Sequence, residues 1–490
     1  LCCYICATAQ VSVKAIDSDT GEPLPYAGMV IGQDGNLISN SEGVFTIPPG
    51  FPDTGEARIS FLGYHDEMRT VAQLKADPVV RLKLGAFQLG EVYISKADTN
   101  ADSIMAKVRQ HLERNYQTPE TPQKSVVFYR SSESFRPRRL SVKITESTGM
   151  DKAQLKAIDK EIQAFTGGLL AHPPSEFSDI LCHYYTAKKI FKDKPVYASR
   201  TDVVKAVKLK DPTRSATLEE LGKSASGLLF KYLDSTKYYR VKSGLFGSRD
   251  TLSLRPGYDH KGKKEVRNDA VSGRSHFTQF YYSNRFGKGS QLDFANVPEI
   301  YHYTYDGAVP GEDGLVYVIR FVPAKGKAKY SGTLYVSERD YGIVRADFSL
   351  ADGKTLGGVN LKFLLGVKQS DNVSKGTIIY KYDAASGSYY LKYAVRETGQ
   401  YMYINRPLKF VEITESEKDK FGFDLKLETD LTDREEYYCI SKTAIPESSF
   451  DAVKETSFSY TILKRYDPAV WKEYTGIEPE EAMRQFSSEK

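Results

Sequence analysis

Apolar and polar positions alternate along most of this chain. Val11, Val13 and Ala15 share one side of a short run whose other positions are polar, as a strand buried on one face requires. The run Asp17-Ser18-Asp19-Thr20-Gly21-Glu22-Pro23 predicts a turn, with Gly21 free to take a positive φ. Further strands are predicted at Ala27 to Ile31, Gly43 to Ile47 and Ala57 to Phe61, with a hairpin signal at Asp34-Gly35. Leu82 with Leu84, then Val92 with Ile94, close the unit. Strands about ten residues apart with turn residues between them predict a small β-sandwich over 10–95. The period then changes. Ile104, Val108, Leu112 and Tyr116 recur every four residues as one apolar helical stripe, and Pro119 and Pro122 follow, so 96–123 reads as a linker helix.

Residues 124–235 read as a mixed α+β segment. Strands are predicted at Val126 to Tyr129 and Leu140 to Ile144. A helix follows from Asp151, with Leu155, Ile158, Ile162 and Phe165 inward and Gly167-Gly168 as its stop. Thr217-Leu218-Glu219-Glu220 predicts a capping box opening a second helix, whose inner face is Leu221, Ala225, Leu228, Leu229 and Tyr232. From 236 to 490 the pattern is mostly period two, ending in a short helix. Val344, Ala346 and Phe348 alternate with Arg345, Asp347 and Ser349, and Leu391, Tyr393 and Val395 with Lys392, Ala394 and Arg396. This predicts a large, curved, half-barrel-like antiparallel sheet, dry on one face and wet on the other. The fold class expected is thus mainly β, a small N-terminal sandwich followed by a large sheet with a few helices.

Composition changes this picture in two places. The 34 tyrosines and 24 phenylalanines against one Trp suit half-buried strands, where a ring packs while a hydroxyl stays wet. A net charge of +5 on 490 residues gives no reason to expect nucleic acid. Residues 1–9 are apolar and end in Ala7-Thr8-Ala9, which reads as the residue of a secretory signal and predicts export, to the periplasm or the outer-membrane surface. No stretch reaches the length of a transmembrane helix, so peripheral attachment is the membrane association left open. Cleavage after Ala9 would leave Cys182 and Cys439, either as one disulfide or as two buried thiols.

The sandwich region resembles the carboxypeptidase regulatory-like domain, a transthyretin-like sandwich. The resemblance rests on Thr20-Gly21-Glu22-Pro23-Leu24-Pro25-Tyr26-Ala27, Ser41-Glu42-Gly43-Val44-Phe45, Ile59-Ser60-Phe61-Leu62-Gly63-Tyr64 and Leu89-Gly90-Glu91-Val92. It implies a folded accessory module without catalytic residues, of the kind that opens many Bacteroidetes outer-membrane receptors. The run from Tyr317 to Val344 is similar to strands of uncharacterised Bacteroidetes exported proteins, and faintly to the half-barrel of periplasmic lipoprotein carriers.

No residue is singled out as catalytic, cofactor-binding or metal-ligating. The histidines (His65, His111, His172, His183, His260, His276 and His302) stand in no zinc-site spacing. Asp17-Ser18-Asp19 lacks the carboxylate of a calcium loop, since its twelfth position is Gly28. Gly222 to Gly227 misses a nucleophile elbow at Ser226 and a phosphate loop at Thr217. Two basic patches, Arg136 to Arg139 and Lys261 to Arg267, read as solvated loops. The pairs Tyr184-Tyr185, Tyr238-Tyr239 and Tyr281-Tyr282 cannot each face one site if they lie on strands. The function expected is a non-catalytic envelope binding or scaffolding protein, for a lipid or lipoprotein acyl chain first and a glycan second. Its alternative is a hydrolase built on a carboxylate pair with shifted titration.

Overall fold

The computed structural model describes residues 11–32, 35–85, 100–210, 218–231, 233, 237–244, 246–253, 269–287, 290–413, 419–471 and 476–486. The apolar start, the Asp34 hairpin position, Leu89 to Ile94, the Thr217 cap, Tyr232 and the Lys261 to Arg267 patch lie outside these residues.

Seven strands build the N-terminal unit: β1 (Val11–Asp17), β2 (Gly28–Ile31), β3 (Gly35–Ile38), β4 (Val44–Ile47), β5 (Glu56–Ser60), β6 (Glu67–Thr70) and β7 (Val79–Leu82), with helix α1 (Val71–Ala76) between the last two. They form two small sheets, β4-β1-β7 and β3-β2-β5-β6, around a core holding Val13, Ala15, Met29, Phe45 and Ile59. The alternation seen in β1 is thus the inward face of one sheet. Asp17 organises the turn after it. Its carboxylate accepts from the Tyr64 hydroxyl at 2.6 Å and from two backbone N–H groups, and these bonds, the Tyr64 one foremost, hold its pKa at about 2.

The large sheet contains β8 (Gln123–Ser147), β9 (Ser175–Phe191), β10 (Lys194–Leu209), β11 (Tyr238–Ser243), β12 (Phe246–Ser253), β13 (Tyr301–Gly311), β14 (Gly314–Pro323), β15 (Tyr330–Ser337), β16 (Ile343–Leu350), β17 (Gly358–Leu361), β18 (Val367–Asp383), β19 (Ser388–Glu412), β20 (Lys420–Ala444) and β21 (Thr461–Leu463). Its main path runs β13-β14-β15-β16-β18-β19-β20-β8-β9-β10-β21 and does not close. Pairing is antiparallel except for β10 with β21. The strands of the mixed segment therefore lie in the same sheet as those after 236, because β20 pairs with β8 along almost its whole length.

Helix α2 (Ala101–Asn115) places Ile104, Val108, Leu112 and the following Tyr116 in the main core, as the fourfold spacing predicts. Helix α3 (Lys152–Ala171) runs through Gly167-Gly168 instead of stopping there, and ends only at His172. Glycine costs a helix about 1 kcal/mol, and burial of Ile158 and Ile162 against β8 and β19 side chains offsets it. Helix α4 (Leu218–Phe230) spans Gly222 to Gly227 without a break, which leaves that run as helix surface. Helix α5 (Asp269–Ser283) and the short α6 (Asp293–Asn296) complete the layer.

The middle of the large sheet is dry on both faces, which corrects the expectation of one wet face. In β8, Val127 and Tyr129 join the core beneath α2 and α5, while Phe128 between them joins a core on the opposite side. Leu181 in β9, Tyr393 in β19 and Tyr438 in β20 extend that second core, where Ile38 of the sandwich and Trp471 meet them. Helices thus cover one side and the sandwich the other. Period two conceals this arrangement because both sets of positions are rich in aromatic residues.

The joint itself is specific. Tyr26 of the sandwich stacks on Tyr393 with ring centroids 4.8 Å apart. The C-terminal segment straps the two units: Asn40 donates to the Pro479 carbonyl at 3.1 Å, Ser41 to Glu480 at 2.6 Å, and Arg484 pairs with Glu42 at 2.6 Å.

Cys182 and Cys439 are buried free thiols. Both are paired in register with Val127, from opposite sides, so two strand spacings separate them. That is about 10 Å, too far for a disulfide. Burial pushes both thiols up, away from the reactive thiolate form.

Candidate functional site

Docking of the sandwich on the sheet leaves a groove of about 460 Å³ between them. Phe61 and Leu62 from the end of β5, Ile379 from β18 and Tyr438 from β20 supply apolar wall, and the β13–β14 turn closes one end. Four lysine and arginine side chains line it. Three are neutralised: Arg58 pairs with Asp66 at 3.4 Å, Arg345 with Asp347 at 2.8 Å, and Lys381 with Glu312 at 3.0 Å. Lys392 forms no ion pair among the described residues. Its ammonium donates to the carbonyl of Cys439 at 2.7 Å and lies 4.8 Å from the centre of the Tyr438 ring. Burial drives its pKa down from 10.5 to about 8, so near neutral pH a poorly hydrated cation waits in an apolar wall.

A second cleft, of about 750 Å³, opens over the helix-covered face where the long strands run beyond α5. It is polar. Glu435 accepts from the Tyr129 hydroxyl at 2.5 Å and stands in register with Arg396. Asp433, two residues earlier on the same face, stands in register with Glu133 of β8. Desolvation raises the pKa of both Glu435 and Asp433. Glu435 is half-buried whereas Asp433 is exposed at the mouth, so the upward shift has the firmer physical basis at Glu435. The Arg396 Nε is buried without a hydrogen-bond partner.

The histidines are scattered. His276 lines the polar cleft, His65 the groove, and His183 faces Asp202 at 3.7 Å. Among the described residues, no group of three or more His, Cys, Asp or Glu side chains is placed to hold a metal ion. Of the tyrosine pairs, Tyr184 is buried among the rings of Phe277 and Tyr281 while Tyr185 turns to the other side beneath Lys124. Tyr239 is buried under α3 and α4, and Tyr281 and Tyr282 lie on a helix instead of a strand. The Arg136 to Arg139 patch is strand surface, where Arg138 pairs with Asp430 at 2.5 Å. Sequence reasoning gave no signal for Lys392, which looks like any wet position between Leu391 and Tyr393.

Fold and groove together define a mainly β protein in which a small sandwich and an open, helix-lined sheet enclose an apolar, cation-bearing slot. No family model matches the chain, and no curated relative matches it. Among solved structures, one is the Pseudomonas aeruginosa MucA/MucB complex, at 6% identity over 66% of this chain and 94% of that chain, with a TM-score of 0.16. Another is a putative membrane-associated protein of unknown function from Bacteroides fragilis, at 11% identity over 41% of this chain and 96% of that chain, with a TM-score of 0.12. Likenesses this distant define neither a family nor a site. No helix among the described residues is long and apolar enough to cross a membrane, which says nothing of strands.

Proposed function

We propose that the protein is a non-catalytic, exported binding protein of a bacterial envelope. Its groove between sandwich and sheet takes an acyl chain with an anionic head. The observation that carries this reading is Lys392, an ammonium without a carboxylate partner among the described residues, set in an apolar wall. An alkyl chain would gain roughly 0.8 kcal/mol per buried methylene, and a carboxylate head would neutralise the lysine. The resemblance of the first unit to the carboxypeptidase regulatory-like domain supports the accessory, non-catalytic role. The apolar run at residues 1–9 supports export.

The test uses cis-parinaric acid, a fatty acid that fluoresces on entering an apolar site, with its methyl ester as the uncharged control. The carboxylate prefers the ammonium form, so affinity is full between the acid's own pKa, about 4–5, and a little below pH 8, where both partners are charged. Above that pH binding must take up a proton, and affinity falls by up to about tenfold per pH unit. Lys392→Met is expected to weaken the acid by about tenfold at neutral pH, to remove the pH dependence, and to leave the ester unaffected. A wild-type protein that ignores the acid, or a variant that matches it at every pH, would overturn the reading.

A second reading rests on the polar cleft. Glu435 and Asp433 both carry raised pKa values and stand two residues apart on one strand face of the same cleft. Two carboxyl groups kept protonated longer than usual and facing one cleft are the raw material of an acid and a base on either side of a glycosidic bond. Under this reading Glu435→Gln and Asp433→Asn each lower hydrolysis of a cell-wall glycan by at least about 100-fold. Absence of any hydrolysis by the wild type across a panel of envelope glycans would sink it.

A further inference from the structure

The segment between β16 and β18 presents a concentrated apolar surface. Leu356, Val359, Leu361, Phe363 and Leu364 are all exposed, Phe363 at 99% and Leu364 at 78%. Single exposed apolar side chains are ordinary, but a run of five is not. Nor is the run loosely held. β17 pairs with β18 from Gly358↔Ser370 to Leu361↔Val367, and just before it the Leu356 N–H donates to the Asp371 carbonyl while the Asp371 N–H donates to the Gly357 carbonyl, each at 3.0 Å. The short helix α7 (Lys362–Leu365) ends at Gly366, with φ +62°, where an added Cβ would collide with the Asn405 carbonyl. Asn405 in turn donates to the Gly366 carbonyl at 2.7 Å. The backbone therefore fixes Phe363 and Leu364 at the crest of a turn, pointing away from the sheet.

The charge on the crest itself is of one sign, with Asp352 and Asp371 at its two ends. Residues 353–370 include Lys354, Lys362 and Lys368 and no Asp or Glu. Lys362 and Lys368 form no ion pair among the described residues. Each lies over a tyrosine ring, Lys362 on Tyr403 at 4.2 Å and Lys368 on Tyr401 at 5.5 Å. An aromatic and an aliphatic side chain at a rigid tip, ringed by lysines and amphipathic tyrosines, is the chemistry of the lipid–water interface. The apolar pair enters the acyl boundary while cations and tyrosines stay among the head groups.

We infer that the 356–368 crest docks this protein peripherally on an anionic lipid surface, with Phe363 and Leu364 as the inserted wedge. This surface is separate from the groove and does not depend on what the groove holds. The alternative occupant is a second copy of the chain pairing along the edge of β17 that no described strand covers.

The experiment is co-sedimentation of the full chain with vesicles of phosphatidylcholine, with and without phosphatidylglycerol, alongside gel filtration without lipid. The wild type is expected to sediment with the anionic vesicles and to be released by high salt. Phe363→Ser combined with Leu364→Ser should weaken that binding by at least about tenfold. Its circular dichroism and its cis-parinaric acid binding should be unchanged, which separates this result from the fate of the groove reading. Lys362→Gln with Lys368→Gln should abolish the preference for phosphatidylglycerol. Failure of the wild type to sediment, or equal sedimentation of the wedge variant, overturns the proposal. So does a wild-type dimer that the wedge variant loses.

Discussion

Arg130→Leu is expected to lower the stability of the folded chain by about 3–5 kcal/mol, read as a fall in the chemical denaturation midpoint. The Arg130 guanidinium grips Asp179 through two bonds, at 2.8 and 2.9 Å, between side chains only 6% and 1% exposed. It also donates to the Glu478 carbonyl at 3.1 Å and lies over the Phe128 ring. Removing it strands a carboxylate inside the second core and cuts one tie of the C-terminal strap. The cost comes chiefly from the orphaned charge, since breaking half of a buried pair is far worse than replacing the whole pair. The double variant Arg130→Leu with Asp179→Leu should therefore recover most of the loss. A single variant as stable as the wild type would show that water reaches Asp179.

Phe277→Ala in α5 is expected to cost a similar 3–5 kcal/mol, for a different reason. Its ring meets those of Tyr184 at 4.9 Å, Tyr129 at 5.7 Å and Tyr437 at 6.0 Å, three strands' worth of tyrosine gathered under one side chain. Truncation leaves a cavity in a rigid aromatic layer that cannot collapse into it. Phe277→Leu keeps most of the volume and should cost less than half as much. Loss of the near-ultraviolet tyrosine signal in the alanine variant, with the far-ultraviolet spectrum intact, would show the helix lifting from an otherwise preserved sheet. Equal stability of all three proteins would mean that α5 does not plug the sheet.

Much of the architecture was readable along the chain, and the exceptions have physical causes. Val13 and Ala15 are inward as their alternation predicts, and the Ile104-Val108-Leu112-Tyr116 stripe is a buried helix face. The reach of the large sheet back to residue 123 was hidden because α3 and α4 interrupt its strands, and local periodicity carries no record of which distant strand is a partner. The second dry face was hidden because its polar members, such as Glu436 and Arg434, bond to one another and to Tyr393 instead of to water. The groove was hidden more deeply. Its walls come from segments around 26–66, 310–316, 337–345, 379–392 and 438, which meet only once the sandwich has docked. Lys392 became distinctive through the company it keeps, and nothing in its own neighbours along the chain announces that.

The doubly covered sheet has a consequence for how its long strands find their places. In a sheet wet on one side, a slip of one residue drives oil into water and polar groups into oil, so solvent itself polices the alignment. Here a slip in the middle of β20 would merely trade Tyr437 for Tyr438 between two equally anhydrous layers. What cannot be traded is Glu436, which takes bonds at 2.9 Å from the Tyr393 hydroxyl and from Arg434. One step out of place, that acid would be carried with Arg434 beneath the helices, away from the Tyr393 hydroxyl of the neighbouring strand. The strand pairing of this protein is keyed by a carboxylate and the hydroxyl that reaches it from the next strand, in a region where hydrophobicity alone could not tell up from down.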